Sequence, residues 1–337
     1  MIRRVLAAAA LVAAAVVLIA FAWPQLLGLQ RQFGVAHVVS FRTGAAAIGV
    51  ALLVLCLLLG AAGRRIRRFM LSASALLLVF VLVNAAVLST RGFDTADLAD
   101  AAVGDITVLS WNTLGDATGA EAVAELALSS GADIVTLPET TNELGLQIAA
   151  LMKAGGSPMW VHTVAFDEIS KARSTTVLTG VDLGIYEKDT AVGNTSVLPT
   201  VVLRPEDGSG PVIVGVHAVA PLKAEMANWR ADLEWLGTAC SDENTIMGGD
   251  FNATLDHMSG LGEGAHTALG GCLDAAKRTG AAAVGTWPTR LPALIGSPID
   301  HVMATADWEV TGMRVVDDRD DSGSDHRPVV ARLRSVG

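Results

Sequence analysis

Six short polar clusters, each placed at the end of an apolar run, carry the side chains best suited to chemistry. They are Ser110-Trp111-Asn112, Pro138-Glu139-Thr140, Val216-His217-Ala218, the segment GGDFNAT (248–254), the segment PIDHV (298–302) and the segment SDHRPV (324–329). A single strand-terminal Asn or Glu is commonly a turn or cap residue. Six clusters rich in Asp, Glu, Asn and His are harder to explain by turns. We therefore expect a scaffold of strands to bring them together as one site.

The residue types in these clusters favour a hard cation. Carboxylate and amide oxygens suit Mg²⁺ or Mn²⁺, which also keep water and substrate phosphate as ligands. A histidine whose tautomer is fixed by a carboxylate can take a proton from water near neutral pH. The sequence has no Cys-x-x-Cys pair, no Gly-x-Ser-x-Gly elbow and no Gly-x-x-x-x-Gly-Lys loop. Structural zinc, a serine hydrolase and a P-loop nucleotide hydrolase are therefore disfavoured.

The order WN, PE, H, GDFN, DH and SDHRP, over residues 105–334, resembles the endonuclease/exonuclease/phosphatase superfamily. The resemblance implies an α/β fold, a DNase I-like two-sheet αββα sandwich, and hydrolysis of a phosphoester or phosphoanhydride bond with Mg²⁺ or Mn²⁺. It also implies roles for individual residues. The metal ligands would be Glu139, Asn112 and Asp325.

The remaining implied roles concern the nucleophile and the phosphate. His326 would be the general base, with Asp300 orienting it. Asp250 and Asn252 would orient the nucleophile and hold the phosphate. His217 would contact the phosphate or the leaving group. Arg327 is a candidate phosphate contact, with a structural salt bridge as the alternative.

Strand and helix patterns alternate in the part that carries these clusters. Apolar runs predict strands at 106–111, 133–137, 160–164, 175–179, 183–186, 195–203, 211–219, 299–304, 310–316 and 328–333. Helical spacing predicts helices at 119–130, 142–154 and 222–237. Many strands with few helices predict two packed sheets covered by helices. His301 is expected to point away from Asp300, because neighbours on a strand face opposite sides.

Composition divides the chain of 337 residues into unlike parts. Residues 1–90 contain eight Arg and no Asp, Glu or Lys, whereas all 34 acidic residues follow. With the remaining 16 of the 24 Lys and Arg, residues 91–337 carry a formal charge of 16 − 34 = −18. We expect a membrane anchor at 1–90, a polar linker at 91–104 and a catalytic domain at 105–337.

Three apolar stretches, at about 5–23, 44–63 and 69–89, are long enough to cross a membrane as helices. Arg64, Arg65, Arg67 and Arg68 fill the loop after the second stretch, and basic loops stay in the cytoplasm. Three crossings then place the catalytic domain outside the cytoplasm. The alternatives are an inverted topology, or a first stretch that is a signal peptide.

Cys240 and Cys272 lie in the predicted external domain, where an oxidising compartment would favour a disulfide over two buried thiols. The apolar segment Leu291–Ile295 reads either as a buried loop or as a lip facing the bilayer. Cys56 lies in the second apolar stretch.

The predicted substrate follows from charge and anchoring. A domain with a formal charge of −18 repels a polyanion, so nucleic acid ranks second as a substrate. The alternative function is therefore an extracytoplasmic nuclease. Membrane spans favour a phosphorylated lipid or envelope intermediate. Some three-span bacterial members of the superfamily, the teicoplanin-resistance-type membrane phosphatases, look similar. An inactive binding domain is a remote alternative, because every motif position is filled.

Overall fold

The computed structural model describes residues 1–96, 98, 100–167, 169–240 and 244–336. The chain forms two compact units, Met1–Arg91 and Gly92–Gly337. The first holds the apolar stretches, and the second holds all six polar clusters.

The first unit contains three helices that are long and apolar enough to cross a membrane. They are α1 (Ile2–Ala22), α3 (Arg42–Ala62) and α4 (Arg67–Arg91), and the short helix α2 (Val35–Ser40) lies between the first two. Each long helix begins two or three residues before its predicted apolar stretch. The extra residues include Arg3, Arg42 and Arg67. Arg3 and Arg67 are exposed and suit the polar headgroup region, whereas Arg42 is buried.

A buried polar contact joins the long helices. Arg42 donates to Asn84 Oδ1 at 2.8 Å and to the carbonyl oxygen of Ala22 at 3.0 Å. Arg42 and Asn84 are both almost fully buried. The contact satisfies a carbonyl group at the end of α1 that no helix residue can satisfy. These hydrogen bonds explain how the guanidinium of Arg42 can be buried between the helices of this unit.

The second unit is a two-layer sheet sandwich, as the sequence predicts. In the described residues each sheet has six strands, in the orders β11-β12-β1-β2-β4-β3 and β5-β6-β7-β8-β10-β9. The strands are β1 (Asp105–Ser110), β2 (Ile134–Pro138), β3 (Met159–Ala165), β4 (Ser174–Gly180), β5 (Tyr186–Lys188), β6 (Val201–Pro205), β7 (Val212–His217), β8 (Thr245–Asp250), β9 (Leu273–Asp274), β10 (Asp300–Ala304), β11 (Trp308–Val315) and β12 (Val329–Ser335).

Alternation along the strands produces the two apolar layers. Val108 and Ile134 face the second sheet, where they pack in one cluster with Ile213 and Ile246. Their neighbours Leu109 and Val135 point the other way, against helices. The helices of this unit are α5 (Ala120–Ser130), α6 (Asn142–Ala154), α7 (Met226–Ala239), α8 (Leu255–Met258) and α9 (Ala275–Thr279).

Two residues near the start of the segment predicted as a linker contact the catalytic unit. The Gly92 carbonyl accepts a hydrogen bond from Ala283 at 3.0 Å, and the Asp94 amide donates to Gly280 at 2.8 Å. Gly92 has φ +73°, and a Cβ there would lie 2.1 Å from the Gly280 carbonyl oxygen. Glycine is therefore required at this close approach. The linker at 91–104 stays a prediction; Asp97 and Ala99 lie outside the described residues.

The predicted disulfide is confirmed. Cys240 and Cys272 are bonded, with their Cα atoms 5.9 Å apart. The bond ties the end of α7 to the segment that precedes β9.

Candidate active site

Three neighbouring strands of the second sheet place His217, Asp250 and Asp300 in one row. His217 is the partner of Asp250 in the parallel pair β7–β8, and Asp250 is the partner of Asp300 in the antiparallel pair β8–β10. All three side chains are at most 2% exposed. The ends of these strands therefore present one imidazole and two carboxyl groups at the same edge of the sandwich.

The first sheet supplies Asn112 and Glu139 from the loops that follow β1 and β2. Asn112 Nδ2 lies 3.2 Å from both Glu139 Oε1 and Asp250 Oδ2. This amide therefore joins groups of the two sheets. Glu139 and Asn252 have positive φ angles of 56° and 45°. Such conformations cost free energy in residues other than glycine and are often found at functional sites.

Asn252 is fixed from several sides. Its amide donates to Asp250 Oδ1 at 2.8 Å, and its side-chain nitrogen donates to the Ala218 carbonyl at 2.9 Å. The indole of Trp229 donates to the Asn252 carbonyl at 3.1 Å. These bonds hold Asn252 beside Asp250 despite its strained backbone.

His326 comes from the loop between β11 and β12 and faces the row of strand ends. Its Nδ1 lies 2.9 Å and 3.1 Å from the two oxygens of Asp300. Its Nε2 lies 3.8 Å from Asp250 Oδ2 and 3.9 Å from Asp325 Oδ1, too far for direct hydrogen bonds. The predicted Asp300–His326 pair is thus present in the geometry, with Nε2 directed at the remaining carboxylates.

Two residues that the sequence did not single out fix His326. The indole of Trp111 donates to the His326 carbonyl at 2.9 Å. Ser324 Oγ donates to the Asn112 carbonyl at 2.6 Å and accepts from the His326 amide at 3.0 Å. The only signal for these residues is that they stand inside the WN and SDHRP motifs.

Burial and crowding shift the pKa values of these groups. Burial by itself would lower the pKa of His326, but the charges of Asp300 and Asp250 outweigh it and raise that pKa to about 10. Burial raises the pKa of Asp250 to about 7, against the opposing effect of His326. Burial raises the pKa of Glu139 also, while burial and His326 lower the pKa of His217 to about 3. His217 is therefore neutral at pH 7.

The donor set at this edge fits a divalent cation. Two carboxylates, Glu139 and Asp250, both contact the side-chain amide of Asn112. Burial disfavours their charged forms and raises their pKa values, and a bound cation would offset this cost. Asp325 Oδ1 is buried and has no hydrogen-bond partner in the described part of the chain. Oxygen ligands of this kind suit Mg²⁺ or Mn²⁺.

Proximity alone would favour another trio for the cation. Ligand atoms of Asp250, Asp300 and His326 lie within 4.8 Å of one another. Both oxygens of Asp300, however, already contact His326 Nδ1. We therefore favour Glu139 and Asp325, together with Asp250, as the groups toward a cation. The predicted ligand Asn112 instead turns its Nδ2 to Glu139 and Asp250, and its Oδ1 accepts from the Leu114 amide at 2.9 Å.

Asp325 is held by Trp287. The indole of Trp287 donates to Asp325 Oδ2 at 2.8 Å, which leaves Oδ1 on the side of His326. The sequence pattern does not reveal this contact, because an apolar pattern does not encode the direction of a hydrogen bond.

The predicted phosphate contact of Arg327 requires correction. Its guanidinium is 1% exposed, pairs with Asp320 and donates to the carbonyl groups of Thr289 and Leu291. These contacts stabilise the loop that carries Arg327. They favour the alternative given above, a structural salt bridge. The two carbonyl groups and the carboxylate together satisfy more of the donors of the buried guanidinium than one carboxylate would.

The other histidines near the motifs lie apart from this cluster. His301 points away from Asp300, as expected, and contacts Asp274 at 2.7 Å and the Ala253 carbonyl at 2.9 Å. His257 is fully buried and accepts a hydrogen bond from the amide of Thr254 at the start of α8. A short capping box is difficult to recognise when its third residue is His rather than Glu.

Comparison with known proteins agrees with this geometry. The model of the Endonuclease/Exonuclease/phosphatase family matches residues 109–326. No curated protein matches the chain in sequence. Solved structures are similar in fold. An endonuclease/exonuclease/phosphatase from Beutenbergia cavernae is 18% identical, with a TM-score of 0.51 over 69% of this chain and 72% of that one.

Two further solved structures are similar. A humanized D. rerio TDP2 is 15% identical, with a TM-score of 0.51 over 69% of this chain and 100% of that one. An endonuclease/exonuclease/phosphatase from Bacteroides vulgatus is 16% identical, with a TM-score of 0.50 over 68% of this chain and 99% of that one. At these identities the likeness concerns the fold alone.

Proposed function

Because the chain belongs to the endonuclease/exonuclease/phosphatase family, whose members hydrolyse phosphoester bonds, we propose that it is a divalent-metal-dependent enzyme acting outside the cytoplasm. Its proposed substrate is a phosphoester or pyrophosphate of a lipid or envelope intermediate. The observation that carries the chemistry is the Asp300–His326 pair, whose Nε2 faces the carboxylates of Asp250 and Asp325.

The chain's own residues can divide the work of hydrolysis. Asp300 fixes the tautomer of His326, so that Nε2 is the atom that takes a proton from the attacking water. Asp250 and Asn252 lie beside Nε2, where they orient water and phosphate oxygen. Neutral His217, with Nε2 4.0 Å from Glu139, is placed to contact the phosphate or the leaving group.

Glu139 and Asp325, with Asp250, are the proposed metal-binding residues, and Asn112 is proposed to hold Glu139 and Asp250 through its Nδ2. When bound, Mg²⁺ or Mn²⁺ supplies charge neutralisation for phosphate and lowers the pKa of nearby groups, His326 included. The raised pKa of His326, caused by Asp300 and Asp250, agrees with a site whose negative charge requires a cation. The metal requirement therefore rests on the donor set and on this excess of carboxylates.

The external location is supported by two independent features. Arg64, Arg65, Arg67 and Arg68 lie between α3 and α4, which favours a cytoplasmic position for that loop. The Cys240–Cys272 disulfide belongs to the catalytic unit and is typical of oxidising compartments. Both features favour a catalytic unit outside the cytoplasm.

The preference for a lipid substrate rests on charge and on the helices. The catalytic part carries 16 − 34 = −18 formal charges, which opposes binding of a nucleic-acid polyanion. Three candidate membrane helices hold the chain at a lipid surface. A lipid-linked phosphate is therefore favoured over DNA or RNA.

The test is phosphate release by the full chain in detergent with Mg²⁺. The substrates are a polyprenyl diphosphate, a phospholipid panel and supercoiled plasmid DNA. We expect release from a lipid substrate that EDTA abolishes, that added Mn²⁺ restores and that His326→Gln lacks. Cleavage of plasmid without release from any lipid would overturn the substrate assignment. Turnover that survives both EDTA and His326→Gln would overturn the site.

A further inference from the structure

Exposed apolar side chains of the catalytic unit concentrate at the edge that carries the site. Within the described part of residues 105–336, ten large apolar side chains are exposed, and five of them lie on loops at this edge. The five are Leu114, Phe166, Ile169, Leu222 and Leu294. Exposed apolar residues scattered singly need no explanation, whereas a concentration on one edge indicates an interaction surface.

Three of the five, Phe166, Ile169 and Leu222, lie on two of three connected loops, residues 166–173 (described except for Glu168), 189–200 and 218–225, which are here called the loop trio. Arg173 Nε donates to the Val197 carbonyl at 3.3 Å, which joins the first loop to the second. Asp232 accepts from the amides of Ser196 at 2.7 Å and Val219 at 3.0 Å, which joins the second to the third. The loop trio is therefore one continuous surface.

The loop trio borders the site on the side of His217. His217 Nδ1 lies 3.4 Å from Oγ1 of Thr175, which stands two residues after the end of the first loop. The His217 amide donates at 3.2 Å to Oγ1 of Thr200, the last residue of the second loop. The third loop begins at Ala218, the residue that follows His217. A molecule bound to the loop trio would therefore lie beside His217.

Ile169 and Leu222 are the most exposed apolar side chains of the loop trio. Asp167 accepts from the amide of Ile169 at 2.7 Å, and Ile169 is 94% exposed. Leu222, at 59% exposure, precedes the exposed Lys223.

The charge of the loop trio is nearly balanced. By sequence it contains four acidic and three basic residues, a net formal charge of 3 − 4 = −1. Lys171 lies two residues after Ile169 and is half exposed while paired with Asp116 at 3.1 Å. The contact with lipid therefore rests on the exposed apolar side chains and not on charge, as burial of apolar area at a membrane interface requires.

We propose that the loop trio is a lipid-contact surface that inserts Ile169 and Leu222 into the bilayer interface and receives the apolar part of the substrate beside His217. The occupant follows from the chain itself, because three candidate membrane helices keep lipid at high local concentration. This inference rests on the proposed function for its substrate, but the lipid contact is measurable separately.

The experiment uses the full chain, with Cys56→Ala to remove the free cysteine, in nanodiscs of phosphatidylcholine and phosphatidylglycerol. Ile169→Cys and Leu222→Cys are each labelled with an environment-sensitive fluorophore. Ile185→Cys is the matched control, since Ile185 is 59% exposed and precedes β5 at the opposite end of the sandwich. Lipids carrying a doxyl quencher report contact with the bilayer.

We expect labels at 169 and 222 to shift to shorter wavelength and to be quenched by doxyl lipid, unlike the label at 185. Labels at 169 and 222 that remain as solvent-exposed as the control overturn the proposal. Labels that shift without quenching by doxyl lipid, as a covering protein partner would produce, also overturn it. With Ile169→Ser we expect a higher KM for the lipid substrate at unchanged kcat, and with Ile185→Ser no change. Insertion without lipid hydrolysis would refute the proposed substrate and leave the surface standing.

Discussion

The contact between Asp300 and His326 is the residue-level feature on which the proposed chemistry depends. Asp300 lies 2.9 Å from Nδ1 and cannot be replaced by a neutral group without losing control of the tautomer. We predict that Asp300→Asn lowers kcat by roughly 10²- to 10⁴-fold, the usual contribution of a positioned base, with little change in KM. Initial rates with bis(p-nitrophenyl) phosphate and Mn²⁺ measure this.

Asp318→Asn is the matched control for this variant. Asp318 lies on the loop before His326, its side chain is 71% exposed, and its contact to Arg319 is 3.8 Å. Its rate should equal that of the unaltered chain. An Asp300→Asn enzyme as fast as the control would remove Asp300 from the mechanism.

His301 provides a prediction about pH and stability. Burial opposes its charge, but Asp274 outweighs burial and raises the pKa of His301. A raised pKa in the folded state gives stability that is fully present below the unfolded value of about 6.5 and is lost as pH rises through the folded value. We predict that Asp274→Asn lowers the melting temperature at pH 6 more than at pH 9, measured by differential scanning fluorimetry in detergent.

A suitable comparison is Asp207→Asn. Asp207 is exposed in a turn where its carboxylate caps the amide of Ser209. Its effect on the melting temperature should be small and should not decline between pH 6 and pH 9. A loss from Asp274→Asn that grows with pH would contradict a charged His301.

At the residue scale, the sequence predicted contacts that local geometry imposes. Asp300 and His326 are contributed by motifs at strand ends, and strand register brings such ends together. Arg327 was predicted less well, because the direction of its long side chain depends on Asp320 seven residues earlier. Trp287 was missed as a partner of Asp325 because the two lie 38 residues apart.

At the scale of elements, apolar runs located most strands and helix spacing located α5 and α6. The predicted strand at 195–203 is shorter in the structure, where β6 begins at Val201. Asn194 explains the difference, because its Oδ1 accepts from the amides of Thr195 and Thr200 and closes a loop. The predicted helix at 222–237 begins instead at Met226, after turns that the apolar spacing does not reveal.

The disulfide between the end of α7 and the segment before β9 provides a prediction about stability. Cys240 and Cys272 close a loop with a sequence separation of 32, which should stabilise the fold by about 3–4 kcal/mol through the entropy of the unfolded chain. We predict that Cys240→Ala with Cys272→Ala lowers the melting temperature, as dithiothreitol does for the unaltered chain. Cys56→Ala is the control, and a dithiothreitol effect that persists in the double variant would exclude this bond as its cause.

At the scale of the whole molecule, charge segregation was the most informative sequence feature. It separated an apolar part without acidic residues from an acidic part, and the structure has compact units that meet between Arg91 and Gly92. The contact of Gly92 and Asp94 with Gly280 and Ala283 was not predictable, because backbone hydrogen bonds leave little trace in composition. A polar, small-residue segment is thus part of the catalytic unit.

The orientation of the chain in the membrane is the prediction that belongs to the whole molecule. The arginines between α3 and α4 favour a cytoplasmic loop, so three crossings by α1, α3 and α4 place residue 92 onward outside. We predict that alkaline phosphatase fused after residue 337 is active, and that green fluorescent protein at the same position is dark. Fusions made within the loop at residue 66 should give the reverse, which controls for expression. Fluorescence at the C-terminus with an inactive phosphatase would place the catalytic unit in the cytoplasm. That result would refute the external location while leaving the proposed hydrolytic residues untouched, because their geometry is independent of the side on which they lie.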